Sequence, residues 1–132
     1  LRRQRDLAYE LITAIPGVTC VRPVAALYMF PRLDPKIYPI EDDQAFFLEL
    51  LQETRVMLVQ GTGFNWPAPD HFRIVFLPHE DDLREAIGRV ARFLEHARKR
   101  FGTDGLVVPA GDGLDASATK VATVTKIGRK KR

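Results

Sequence analysis

The sequence is poor in nucleophiles and in the residues that bind metals. Cys20 is the only cysteine, which excludes an internal disulfide and fits a reducing compartment. With no histidine near it in sequence, it reads as a small buried apolar residue rather than a nucleophile. Ser117 is the only serine and lies in a weakly patterned tail, so a serine nucleophile in the core is excluded. His71, His79 and His96 lack metal-ligand spacing, and no metal site is expected. No apolar run approaches the roughly 18 residues of a transmembrane helix. The Arg-rich start lacks the uninterrupted apolar segment of a secretory signal. The expectation is a cytoplasmic chain without membrane contact.

What is present suffices for one folded domain. Of the 132 residues, 45% are hydrophobic, enough to fill a core at this length. The chain opens Leu1-Arg2-Arg3 without a methionine and reads as a piece of something longer. Its net charge of +3 is unevenly placed. Residues 1–102 hold equal numbers of basic and acidic side chains, and the excess lies wholly in residues 103–132. The globular part therefore offers no electrostatic reason to expect a nucleic-acid partner.

Periodicity divides the first hundred residues into helices and short strands. Leu7, Leu11 and Ile15 recur at helical spacing, predicting a helix over 1–15 that Pro16-Gly17 ends. Strands are predicted over 18–21 and 27–30, and the prolines between 31 and 39 predict a loop. A second helix is predicted over 41–54, with Glu41, Asp42 and Asp43 where the helix dipole favours negative charge. Its apolar stripe is Phe46, Phe47, Leu50 and Leu51. The continuously apolar Val56 to Val59 reads as a buried strand, 61–70 as a Gly- and Pro-rich loop, and 72–77 as another strand. The third helix spans 80–101, with Leu83, Ile87, Val90, Leu94 and Phe101 on one face. Glu80, Asp81 and Asp82 open it, Arg98, Lys99 and Arg100 close it, and Gly102 is its expected C′ residue. Residues 103–132 have no apolar stripe and read as a flexible basic extension, although Val121 to Ile127 alternates as a strand would.

Two features invite chemistry. The acidic triplets stand at helix starts, where the dipole accounts for them, and Gly61-Thr62-Gly63 lacks the Lys and helix of a phosphate loop. Arg73 is different, because its strand neighbours Phe72, Ile74, Val75 and Phe76 are all apolar. A guanidinium in such a strand needs an anionic partner, and arginine grips a carboxylate with two parallel hydrogen bonds. Two readings stand open: a ligand carboxylate bound by Arg73, or a structural arginine paired internally or facing solvent.

Longer segments carry a resemblance. The run Pro23-Val24-Ala25-Ala26-Leu27-Tyr28-Met29-Phe30-Pro31 resembles the small-domain strand of fold type I aminotransferases, in the alanine aminotransferase-like subgroup. Gln60-Gly61-Thr62-Gly63-Phe64-Asn65-Trp66-Pro67, followed by Pro69-Asp70-His71-Phe72-Arg73-Ile74-Val75, is similar to the segment ending in that family's substrate-carboxylate arginine. Arg2-Arg3-Gln4-Arg5-Asp6 and Ile15-Pro16-Gly17-Val18 resemble the helix and turn that precede them. The likeness runs in order over about residues 1–101. It implies that Arg73 binds the α-carboxylate of an amino-acid or 2-oxo-acid substrate, with Gly63 and Asn65 in the loop shaping the pocket mouth. It also implies pyridoxal 5′-phosphate as cofactor and a homodimeric complete enzyme. Two departures stand out. The family strand usually has glycine where this chain has Ala25, and the family's Schiff-base lysine and phosphate-binding residues lie upstream of Leu1. None of Lys36, Lys99, Lys120, Lys126, Lys130 and Lys131 occupies a serine-flanked apolar setting like that motif.

The expected fold is α+β, with helices covering one face of a short, mostly antiparallel sheet over residues 1–102. The expected function is amino transfer between alanine, or a similar small amino acid, and a 2-oxo acid such as 2-oxoglutarate. Catalytic residues are not expected in this chain, which should be inactive alone. The alternatives are a stand-alone α+β binding or regulatory module, and a nucleic-acid contact made by the basic end.

Overall fold

The computed structural model describes residues 1–24 and 27–106. Three helices account for most of them: α1 (Arg2–Thr13), α2 (Asp43–Thr54) and α3 (Glu80–Phe101). Each buries an apolar stripe, Ala8 and Ile12 from α1, Phe46, Phe47 and Leu50 from α2, and Leu83, Ile87, Val90, Phe93, Leu94 and Ala97 from α3. The α2 helix starts where Asp42, extended at φ −119°, accepts a hydrogen bond from the Ala45 N–H, satisfying one orphan donor of the first turn. Glu41 therefore lies outside the helix that the sequence placed it in. The α3 helix ends as expected, with Gly102 left-handed at φ 74°, a conformation that costs glycine little.

The strands are shorter than the pattern suggested, and there is one more of them. They are β1 (Val18–Thr19), β2 (Tyr28–Met29), β3 (Arg32–Leu33), β4 (Val59–Gln60) and β5 (Phe72–Val75). All paired strands are antiparallel: β1 with β3, and β2 and β4 on either side of β5. An isolated bridge between Arg32 and His71 links the two small sheets. The 31–39 segment, read as loop from its three prolines and Asp34, contains the strand Arg32–Leu33. Local chemistry was outvoted there by the free edge of β1, against which Leu33 is fully buried opposite Val18. The strand expected at Val56 to Val59 moves to Val59–Gln60, because Arg55 turns left-handed at φ 62° after α2 and β5 reaches only Val59 and Gln60.

Helices cover one face of the β2-β5-β4 sheet. Phe72 and Ile74 of β5 point inward, and the Phe72 ring lies 5.2 Å from that of Phe47 on α2. Phe46 continues the aromatic core onto Phe93 of α3 at 5.3 Å. Because strand side chains alternate, Arg73 and Val75 face the other way. That second sheet face carries Tyr28, Val59, Arg73 and Val75 in register.

The last turn of α3 departs from its expected pattern. Phe101, assigned to the apolar stripe, is 37% exposed, while Arg98 is 2% exposed. The Arg98 guanidinium donates from Nη1 to the Tyr38 hydroxyl at 2.8 Å and from Nε to Asp104 at 2.8 Å. Tyr38 in turn donates to the Pro16 carbonyl. Burial pushes the Tyr38 hydroxyl up to about 12, against the lowering effect of the Arg98 charge. Thr103, buried, donates to the Ile37 carbonyl, and a 3₁₀ turn follows over Asp104–Leu106. The fold thus continues past Gly102, because Thr103 and Asp104 complete the polar network around Arg98. The rest of the expected basic extension, residues 107–132, including the alternating run at 121–127, lies outside the described residues.

Candidate functional site

Arg73 lies on the sheet face turned away from the helices, partly buried. Its Nε is buried and has no hydrogen-bond partner among the described residues. A buried donor left unpaired costs roughly 1–3 kcal/mol, so this atom marks a place where the fold withholds an acceptor. The contacts the guanidinium does make are with aromatic faces: 4.4 Å above the Phe64 ring and 5.4 Å from the Tyr28 ring. Ring faces attract the cation without occupying its hydrogen-bonding edge. Of the two readings open for Arg73, internal pairing with an aspartate has no counterpart among the described residues.

Phe64 reaches Arg73 from a 3₁₀ turn, Gly61–Phe64, which the sequence left as plain loop. Gly61 abuts β5 so closely that a Cβ there would stand 2.9 Å from the His71 carbonyl oxygen, so no other residue fits. Its N–H donates to that same carbonyl at 2.7 Å. Asn65, left-handed at φ 63°, ends the turn, its N–H directed at the Gly61 and Thr62 carbonyls. Asparagine is among the few side chains that tolerate this conformation, which gives Asn65 a backbone role. Gly63 is exposed, and a Cβ there would meet nothing closer than 3.7 Å, so space does not require glycine at that position. Both candidate pocket residues thus flank Phe64 on the turn that reaches Arg73.

Asp70 braces the other end of the loop. One carboxylate oxygen accepts from Trp66 Nε1 at 3.1 Å and lies 2.8 Å from His71 Nδ1, while the other accepts from Arg32 Nε at 3.3 Å. The Trp66 and His71 rings are 4.4 Å apart, and both contact Phe30. Partial burial raises the Asp70 pKa, but the hydrogen bonds from His71, Trp66 and Arg32 outweigh it and hold the group below its ordinary 3.8. A carboxylate with a depressed folded-state pKa contributes stability above its unfolded value and loses it as pH falls through the folded one. Asp70→Asn should therefore be less stable than the native chain at neutral pH, with the gap closing on acidification below about 3.8. Denaturant titrations of both proteins along a pH series check this, and a gap that stays constant into strong acid would contradict it.

With this geometry in view, the comparisons with known proteins are decisive. The profile of aminotransferase class I and II matches residues 1–90. The chain belongs to the class I and II aminotransferases. It is 54% identical over 99 residues to a glutamate-pyruvate aminotransferase, AlaA, of Haemophilus influenzae, covering 75% of this chain and 24% of that protein. It is 52% identical over 99 residues to an alanine aminotransferase of Mycobacterium bovis, again covering 75% of this chain and 23% of the relative. The crystal structure of an Escherichia coli aminotransferase superposes with a TM-score of 0.70 at 56% identity, over 72% of this chain and 24% of that one. The chain spans about a quarter of the length of these relatives.

Aminotransferases of this class use pyridoxal phosphate, and the described residues do not fit that cofactor. Lys36 and Lys99 are exposed, and Lys99 pairs with Glu95 at 3.6 Å; neither stands in an enclosed setting where a Schiff base would be protected from water. Cys20 is half-buried and burial pushes its thiol up, away from the thiolate a nucleophile needs. Of the strand expected at 27–30, only Tyr28-Met29 pairs with β5, and Ala25 lies outside the described residues. What this aminotransferase segment presents is a guanidinium in an aromatic cradle.

Proposed function

We propose that this chain is the C-terminal small domain of a pyridoxal-phosphate-dependent aminotransferase, in which Arg73 holds the α-carboxylate of the substrate. The observation that supports this reading most is the buried Nε of Arg73 without an acceptor, on the one strand side chain of β5 that is charged. A carboxylate arriving in the plane of the guanidinium supplies two charge-assisted hydrogen bonds and neutralises the cation that Tyr28 and Phe64 only shield. Gly63 and Asn65 lie on the turn that forms the mouth of this pocket. The likeness to alanine and glutamate-pyruvate aminotransferases supports alanine, or a similar small amino acid, as donor and 2-oxoglutarate as acceptor.

The cofactor supplies the electron sink for amino transfer, and the groups that hold it belong to the rest of the complete enzyme, a cytoplasmic homodimer on this reading. The part assigned to this chain is binding and orientation: fixing the carboxylate places the substrate's α-carbon and amino group at the chemistry. The reading is tested by comparing the complete protein with the 132-residue chain. The complete protein should transfer the alanine amino group to 2-oxoglutarate. The chain alone should transfer none and should keep no cofactor absorbance after dialysis. A complete protein unable to take an amino group from any α-amino acid would overturn the reading, as would a 132-residue chain that retains bound cofactor.

A further inference from the structure

Asp43 is an acidic residue in an unexpected place. The sequence explains it as a first-turn carboxylate favoured by the dipole of α2, a role that leaves such a group in solvent. Instead it is 3% exposed, and both carboxylate oxygens are committed to one residue of the 61–64 turn. Oδ1 accepts from the Thr62 hydroxyl at 2.6 Å, and Oδ2 accepts from the Thr62 N–H at 3.2 Å. Gly61 meanwhile is clamped to the His71 carbonyl on β5. The turn is therefore held from two sides, by α2 through Thr62 and by β5 through Gly61. Two residues further on, Phe64 projects from it to lie 4.4 Å beneath the Arg73 guanidinium. Phe64 is 44% exposed, so the core does not account for its position.

We infer that Asp43, Thr62 and Phe64 act together as a positioning device for Arg73, fixing the guanidinium plane before a carboxylate-bearing substrate arrives. This rests on Arg73 being the carboxylate anchor. The physical reason is entropic. A free arginine side chain populates many rotamers, and immobilising a side chain during binding weakens affinity. An aromatic face held at a fixed height beneath the guanidinium performs that immobilisation in advance and leaves the hydrogen-bonding edge open. Without the Asp43 tether, the turn loses both hydrogen bonds to α2 and rests on β5 through Gly61, on the Asn65 and Trp66 backbone bonds and on the Trp66–Asp70 contact. The three residues act through Arg73, so the device governs how strongly substrate binds rather than how fast the bound substrate reacts.

The experiment measures the alanine half-reaction of the complete enzyme for Asp43→Asn, Phe64→Leu, Thr62→Ser and Arg73→Ala. Asp43→Asn and Phe64→Leu should each raise KM for alanine about tenfold with kcat within about twofold, and Thr62→Ser, which keeps the hydroxyl, should behave as native. Phe64→Leu keeps the idea testable should Asp43→Asn fail to fold, because an exposed ring contributes little to the core. Native KM in a folded Phe64→Leu enzyme, while Arg73→Ala is impaired, would overturn the device and leave the anchor intact. An unimpaired Arg73→Ala would sink the anchor itself, and the device with it. A fall in melting temperature for Asp43→Asn with native KM would likewise overturn it, showing a tether that serves the fold alone.

Discussion

Arg98→Ala should destabilise the fold by about 2–5 kcal/mol, the usual cost of truncating a large buried side chain, with the Asp104 partner, 38% exposed, adding little. Three groups depend on that guanidinium: the Tyr38 hydroxyl, the Asp104 carboxylate and, through Tyr38, the Pro16 carbonyl. Deleting it leaves Tyr38, 1% exposed, without its charged partner and opens a void the width of an arginine beneath the 34–40 segment. The nearby Arg100 provides the control. It is an exposed cation in the same helical turn, paired with the exposed Glu49 at 2.8 Å, and Arg100→Ala should cost about 0–1 kcal/mol. Denaturant unfolding of both variants separates a buried network from a simple helix-dipole effect, which would make the two losses alike. Equal losses would show that the burial of Arg98 carries no special weight.

The contrast between Arg98 and Arg100 shows where the sequence was legible. Both read as cations closing α3, and both do lie in its last turn, because charge at a helix end and a glycine after it are local signals. Which of them is buried depends on Tyr38 and Asp104, which meet α3 only in the tertiary fold. Asp43 follows the same logic. Its place at the start of α2 was legible, but its bond to Thr62 joins residues 19 apart, and no pattern in either segment announces it. The presence of three helices, the stripes of α2 and most of α3, and the inward face of β5 could be read from periodicity, whereas α1 ends at Thr13 and buries Ala8 and Ile12, one residue on from the expected Leu7 and Leu11, with Ile15 beyond its end. The strands could not be bounded, since pairs of two residues are defined by the partner edge and not by their own composition. At the site, Arg73 stood out because one charge among apolar strand residues conflicts with burial. Phe64 did not, because an aromatic in a Gly-rich loop conflicts with nothing until the cation above it is seen.

In the complete enzyme, Arg73→Ala should lower kcat/KM for alanine by about two orders of magnitude or more. Truncating one side of a buried, hydrogen-bonded charge pair costs roughly 2–5 kcal/mol, and each 1.4 kcal/mol is about tenfold. Cofactor absorbance should survive, because no described residue of this chain is placed to hold the cofactor. Arg73→Lys should recover part of the loss, since an ammonium restores the charge and not the planar fork. If Arg73 served only the fold, its replacement would lower the melting temperature and leave the rate of the surviving enzyme unchanged. The most direct test varies the substrate as well as the protein, comparing half-reaction rates for alanine with those for ethylamine, which lacks the carboxylate. In the native enzyme alanine should be preferred by a wide margin, and in Arg73→Ala that preference should shrink by about the factor lost from kcat/KM. An unchanged ratio of alanine to ethylamine in a folded, cofactor-loaded Arg73→Ala enzyme would contradict Arg73 as the carboxylate anchor.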